Sequence, residues 1–362
     1  MTRTSLRIPF TIGNLGAPAI IDVGRGRAPS RHALLDDLHR LADCGVTAIE
    51  DYVGWNVIEP REGEIDFSIH LAHREAVARA GLAYVMYPWV HALPAWLRTP
   101  QRITPFRCLE HRLDCGWPSI FAPTTFGLFE RFYELVHAHL GEPQRLTLAL
   151  PCDYGEFGYP AGFGTWVLPP PPPLDHMHVG YWCGDEYALR SYREALLARH
   201  GSLPGINRAH GTDACLLRAV RPPSAPADPT LSPARRQDFL RWYQQALLAF
   251  VDRTAQLAQT HFPSATLGVK CGYAGELAAH GMDYSSLGEL AHRRGMEIWS
   301  THATLPVVFH KRIQTVCRVL DVPYVTESPT ERSREVVRDR LFEDASDGTR
   351  AFFEFHETLL EH

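Results

Sequence analysis

Thr266-Leu-Gly-Val-Lys-Cys271, Ser285-Ser-Leu-Gly-Glu-Leu-Ala-His-Arg-Arg294, Met296-Glu-Ile-Trp-Ser300, Phe309-His-Lys-Arg-Ile-Gln-Thr-Val-Cys-Arg-Val-Leu320 and Val322-Pro-Tyr-Val-Thr326 follow one another in the last third of the chain. The first, third and fifth are short and apolar, the length and composition of buried strands. The second and fourth repeat their apolar residues at helical spacing, as in Leu287, Leu290 and Ala291 or Ile313, Val316 and Cys317. Strand alternating with helix predicts βα units and a parallel sheet.

The rhythm extends in both directions. Downstream, Glu331–Phe342 reads as a helix and Arg350–Phe355 as a strand. Upstream, strands are expected at Arg7–Ile12, Val46–Tyr52, Leu82–Trp89 and Arg145–Pro151. Helices are expected at Ser30–Asp43, with Ser30 as N-cap, at Ile69–Ala80 and at Leu128–Leu140. That makes eight strands, with Thr266–Cys271 the fifth, and eight fit a closed (β/α)8 TIM barrel spanning residues 1–362 as one domain. An insertion of about residues 153–232 follows strand four. It contains Leu168-Pro-Pro-Pro-Pro-Pro-Leu174, which can be neither helix nor central strand. Helices at Asp185–Arg199 and Pro233–His261 flank a Pro/Ala-rich loop, Pro222–Pro233.

The 362 residues are 45% hydrophobic and 21% charged, with a formal net charge of −5. No basic face announces a nucleic-acid partner. No apolar stretch is long enough for a membrane span, and the N-terminus lacks a signal-peptide core, so the expectation is a cytoplasmic protein. The eight cysteines form no Cys-x-x-Cys pair and are expected to be free thiols. Cys108 and Cys115 alone are too little for a zinc clip. There is no Gly-rich phosphate loop, no metal site is expected, and no cofactor is required.

Barrels of this kind carry their chemistry at the C-terminal ends of the strands. Strand two ends among Glu50, Asp51, Tyr52, Trp55 and Glu59, and strand three at Trp89 and His91. Strand four runs into Asp153-Tyr-Gly-Glu156-Phe-Gly-Tyr159, and strand five ends at Lys270. Strand six ends at Trp299 and His302, strand seven at Glu327, and strand eight at Glu354 and His356. Aromatic faces suit the C–H faces of a sugar, and carboxylates bind hydroxyls and move protons. Cleaving a glycosidic bond requires two carboxyl groups flanking it, and Glu156 and Glu327 would face each other across the barrel mouth. Each has an ordinary reading as well, as a helix-terminal or surface charge, and the tryptophans suit a core equally.

At these residues the sequence resembles the glycoside hydrolases of the 4/7 barrel superfamily, whose acid/base follows strand four and whose nucleophile follows strand seven. Trp55-Asn-Val-Ile-Glu59-Pro60-Arg-Glu-Gly63-Glu-Ile-Asp66-Phe67 looks like the second-strand motif of the family 42 β-galactosidases. Gly180-Tyr-Trp182-Cys-Gly-Asp185-Glu-Tyr187, continuing to Asn207, looks like their stretch after strand four. The superfamily has Asn before the acid/base, whereas this chain has Gly155. Gly155-Glu156-Phe-Gly-Tyr159-Pro160 instead looks like the family 14 β-amylases, as do Gly275-Glu276-Leu-Ala-Ala and Leu290-Ala-His-Arg-Arg-Gly295.

The resemblance implies a carbohydrate substrate, with Glu156 as acid/base and Glu327 as nucleophile of a retaining exo-glycosidase on a β-linked sugar, a galactoside among the options. Asp51, Trp55, Glu59, Trp89, His91, Asp153, Tyr159, Trp182, Lys270, Trp299, His302 and Glu354 are the candidates for the sugar-binding wall. Three alternatives stay open: an inverting β-amylase-like hydrolase with Glu327 as base, a sugar-binding barrel without turnover, and a lyase or isomerase using Lys270. The oligomeric state and the sugar are left open.

Overall fold

In β2 (Ala48–Gly54) and β3 (Ala83–Trp89) nearly every residue is buried, which is what a strand covered on both faces looks like. The computed structural model describes residues 10–12, 15–24, 28, 35–43, 46–148, 180–223, 230–271, 283–300, 307–328 and 350–353. Around β2 and β3 close β1 (Phe10–Ile12), β6 (Arg145–Leu148), β7 (Thr266–Cys271), β8 (Glu297–Ser300), β9 (Tyr324–Ser328) and β10 (Arg350–Phe353). The order β1-β10-β9-β8-β7-β6-β3-β2 is a closed barrel, parallel throughout. The predicted (β/α)8 barrel is therefore the fold. Strand five lies where the sequence places it; strand seven runs two residues further than expected and takes Glu327 into β9.

The layer outside the strands is helical. Described helices are α1 (Ala17–Gly24), α2 (Leu35–Asp43), α3 (Trp55–Ile58), α4 (Ser68–Arg79), α5 (Thr124–Leu140), α6 (Glu186–His200), α7 (Leu203–His210), α8 (Pro233–His261), α9 (Tyr284–Arg294) and α10 (Val307–Val319). The expected helix Glu331–Phe342 lies outside the described residues, as do the pentaproline run and the first third of the insertion. The helices α1, α3 and α7 and one hairpin went unread in the sequence. An antiparallel hairpin, β4 (Pro105–Arg107) and β5 (Asp114–Pro118), follows β3. In the described part of the insertion, α6 lies within one residue of the helix expected at Asp185–Arg199, and α7 follows it.

The insertion is fastened by its caps and by α8. Asp185 accepts from the N–H groups of Tyr187 and Ala188 at 3.0 Å, capping α6, while its other oxygen takes the Ser119 hydroxyl at 2.9 Å. One aspartate thus ties the helix to the segment that follows the hairpin. Pro233 starts α8 where its missing N–H costs nothing, and Ser232 caps it. One end of α8 packs Phe239 and Trp242 on Tyr192 of α6, and further along Phe250 meets Phe126 and Phe129 of α5. The long helix therefore joins the insertion to the barrel's outer layer.

Candidate active site

Alternation along β2 decides which side chains enter the barrel. Glu50 and Tyr52 point inward, and so do Tyr87 and Trp89 of β3, Thr147 of β6, Lys270 of β7 and Trp299 of β8. Glu50 is fully buried and pairs with the Lys270 ammonium at 2.7 Å, while its second oxygen takes the Thr147 hydroxyl at 2.6 Å. Burial pushes the Glu50 carboxyl up, against the opposing pull of Lys270 and Thr147. The ammonium lies 4.3 Å from the Tyr87 ring centre, 5.0 Å from Tyr52 and 5.9 Å from Trp299. Gly268 makes room for Trp299, since a Cβ there would sit 2.6 Å from the indole nitrogen.

An aromatic column continues from this pair toward the C-terminal face. Tyr52 packs on Trp89 at 4.9 Å, Trp89 on His91 at 4.5 Å, and His91 stacks on Trp117 of the hairpin at 4.4 Å. Of the residues expected at the sugar-binding wall, the structure brings together Trp89, His91, Lys270 and Trp299. The residues that join them are Glu50, Tyr52, Tyr87, Thr147 and Trp117. Period-two alternation carried through β2 and β3 separates Glu50 and Tyr52 from Asp51; Trp117, on an unread hairpin, left no such signal.

Burial holds His91 neutral, with its pKa well below the usual value for histidine. The unfolded chain then binds a proton near pH 6.5 that the folded chain refuses. Stability is expected to fall as pH drops below about 6.5, by at most about 1.4 kcal/mol per pH unit for this group. Urea titrations of the wild type and of His91→Gln between pH 7.5 and 5 check this: the variant should show the shallower fall.

Four expectations are corrected. Asp51 lies on the outer face of β2, where it accepts from Tyr84 at 2.7 Å and meets His70 and His73 of α4 at 2.9 and 3.1 Å. The two imidazoles hold its carboxyl far below the usual range in spite of its burial. Trp55 and Glu59 bond to each other at 2.9 Å beneath α5, where Trp55 stacks on Phe132. Glu59 also takes the Gly63 N–H at 3.0 Å and Arg131 at 2.5 Å, so its carboxylate serves the turn after α3. Trp182 stacks on Phe106 of the hairpin, and its backbone N–H donates to the Tyr243 hydroxyl at 3.2 Å. The first was misplaced by reading a strand end without its alternation; the others are held by helices that pack against the barrel.

Glu327 is the fourth residue of β9, its backbone opposite Phe352 of β10. Asp153, Glu156, Tyr159, His302 and Glu354 lie outside the described residues. Cys108 is buried, with its thiol pushed up to about 11 by burial, which leaves it a poor nucleophile at neutral pH. No helix among the described residues is long and apolar enough to cross a membrane.

No protein-family model matches the sequence. Over 262 residues, 65% of the chain, it is 24% identical to a β-amylase of Cytobacillus firmus, and over an equal length 24% identical to a β/α-amylase of Paenibacillus polymyxa. The chain spans 54% and 21% of those proteins' lengths. In structure it is similar to the catalytic domain of the β-amylase from Paenibacillus polymyxa, with a TM-score of 0.74 and 18% identity over 98% of this chain and 93% of that one. A β-galactosidase from Bacillus circulans sp. alkalophilus gives a TM-score of 0.67 and 14% identity over 96% of this chain and 50% of that one. The barrel of these glycosidases is the fold of this chain. Similarity to the β-amylases runs through sequence and structure alike, whereas similarity to the β-galactosidases is one of fold.

Proposed function

We propose that the chain hydrolyses glycosidic bonds, with Glu156 protonating the leaving oxygen and Glu327 as the second carboxylate. The observation that carries this reading is the β-amylase likeness, present in sequence over 65% of the chain and in structure over 98%. It favours an inverting reaction, in which Glu327 draws a proton from the attacking water.

A retaining reaction on a β-galactoside is the second reading, favoured by the second-strand motif and by structural likeness to β-galactosidases. There Glu327 would attack the anomeric carbon and Glu156 would then activate water. The lyase or isomerase reading loses ground, because Lys270 is held against Glu50 and enclosed by three rings. In either hydrolytic reading the chain needs no cofactor.

The test is a screen of aryl α- and β-glycosides and of α- and β-linked oligosaccharides, with proton NMR of the first anomer released. Turnover of an α-linked glucan with inverted product supports the first reading, and retained product from a β-galactoside supports the second. Binding without turnover across the panel, measured by calorimetry, would identify a sugar-binding barrel instead.

A further inference from the structure

The Asp51 cluster behind the barrel wall takes no part in the chemistry proposed for the mouth. Its geometry suits another purpose. Asp51 leaves β2 on the outer face, Tyr84 leaves the neighbouring β3, and His70 and His73 stand one helical turn apart on α4. Asp51 and His70 are fully buried and His73 is 7% exposed. Both imidazoles turn Nδ1 toward the same carboxylate, one to each oxygen, at 2.9 and 3.1 Å, and the Tyr84 hydroxyl closes from a third side at 2.7 Å. Ligand atoms from Asp51, His70 and His73 lie within 4.8 Å of one another. Zinc held at about 2.0–2.2 Å by nitrogen and oxygen puts tetrahedral ligands roughly 3.3–3.6 Å apart, so the two imidazoles would each draw back from Asp51 by a few tenths of an ångström to admit the ion.

A second cluster of the same composition shows what distinguishes this one. Asp238 meets His200 and His210 at 2.7 and 3.0 Å, but Arg199 already supplies a cation at 2.7 Å. No lysine or arginine pairs with Asp51 among the described residues; Arg74 lies over the Tyr84 ring and reaches the Glu142 carbonyl. A buried carboxylate surrounded by two imidazoles and a phenol, with no fixed cation, is a donor set for a dication of intermediate softness. We propose that Asp51, His70 and His73, with Tyr84 at their side, bind a zinc-class divalent transition metal that clamps α4 to β2 and β3. The ion enters as the chain folds, because the ligands come together only once the helix docks on the strands. The clamp lies directly behind the strand that carries Glu50 and Tyr52 inward.

The experiment uses the full chain, unfolded in denaturant with a chelator, freed of metal, and refolded with and without cobalt(II). Stoichiometric uptake is expected, with the strong visible bands of a four-coordinate ion, no near-ultraviolet thiolate band and a higher Tm than the metal-free protein. His70→Gln and His73→Gln should lose that uptake, whereas His200→Gln and His210→Gln should keep it. Refolded wild type that takes up no cobalt overturns the proposal. So does a thiolate charge-transfer band, which would place the ion on cysteines, or uptake that survives His73→Gln. Should the cluster variants fail to fold, the wild-type spectrum still decides. None of these readouts depends on hydrolysis.

Discussion

Glu327→Gln is expected to lower kcat on a cleaved glycoside by about three orders of magnitude or more, with the fold intact by circular dichroism. The amide is isosteric but can neither attack a sugar nor take a proton from water, so the loss falls on the chemical step rather than on binding. Glu156→Gln is expected to show a loss that depends on the leaving group. General acid catalysis contributes roughly 10²- to 10⁴-fold where the departing oxygen needs a proton, and little where it is a good leaving group such as dinitrophenolate. Paired measurements on a nitrophenyl and a dinitrophenyl glycoside separate the two roles. If the enzyme retains configuration, azide should also restore turnover to Glu156→Gln by yielding a glycosyl azide; in an inverting enzyme it should not. Wild-type rates in both variants would remove this pair from the chemistry.

Lys270→Met is expected to cost about 3–5 kcal/mol of stability, because it leaves the fully buried Glu50 with a hydroxyl but no cation. Glu50 already binds its proton more readily than an exposed glutamate, burial being the cause. Without Lys270 that tendency grows, and the folded variant would carry Glu50 protonated at a pH where the unfolded chain does not. The folded state then binds the extra proton, so the deficit should shrink as pH falls toward the unfolded value, about 4.3. Glu50→Gln combined with Lys270→Met should recover most of the loss, since the charge is removed along with its partner. Urea denaturation of the wild type and the two variants at pH 7.5 and 5.5 gives the numbers. A single Lys270→Met as stable as wild type would mean that water or another cation reaches Glu50.

Much of this was legible in the residues. The βα alternation from Thr266 to Thr326 names the architecture, because period-two and helical apolar patterns are local properties that burial on two faces imposes on any such chain. The span of α8 and that of strand five follow directly, each bounded by a proline, a cap or a turn residue. Rarer signals went unread: Pro105–Pro118 has too few alternating residues to announce a hairpin, and α7 is a short helix inside an insertion.

The candidate site divides in the same way. That carboxylates and aromatics gather at strand ends could be read from the sequence, as could the positions of Trp89, His91, Lys270 and Trp299 at those ends. Which face each one takes could not. Glu50 and Asp51 are chemical neighbours in the sequence, yet one meets Lys270 inside the barrel and the other meets two histidines outside it. His70-x-x-His73 passes for an ordinary stretch of amphipathic helix until α4 is laid on β2. Composition and periodicity report how each segment must be buried, which is enough to decide the barrel. Partners 220 residues apart, such as Glu50 and Lys270, are chosen only when the sheet closes, because closure alone brings strand two across from strand five.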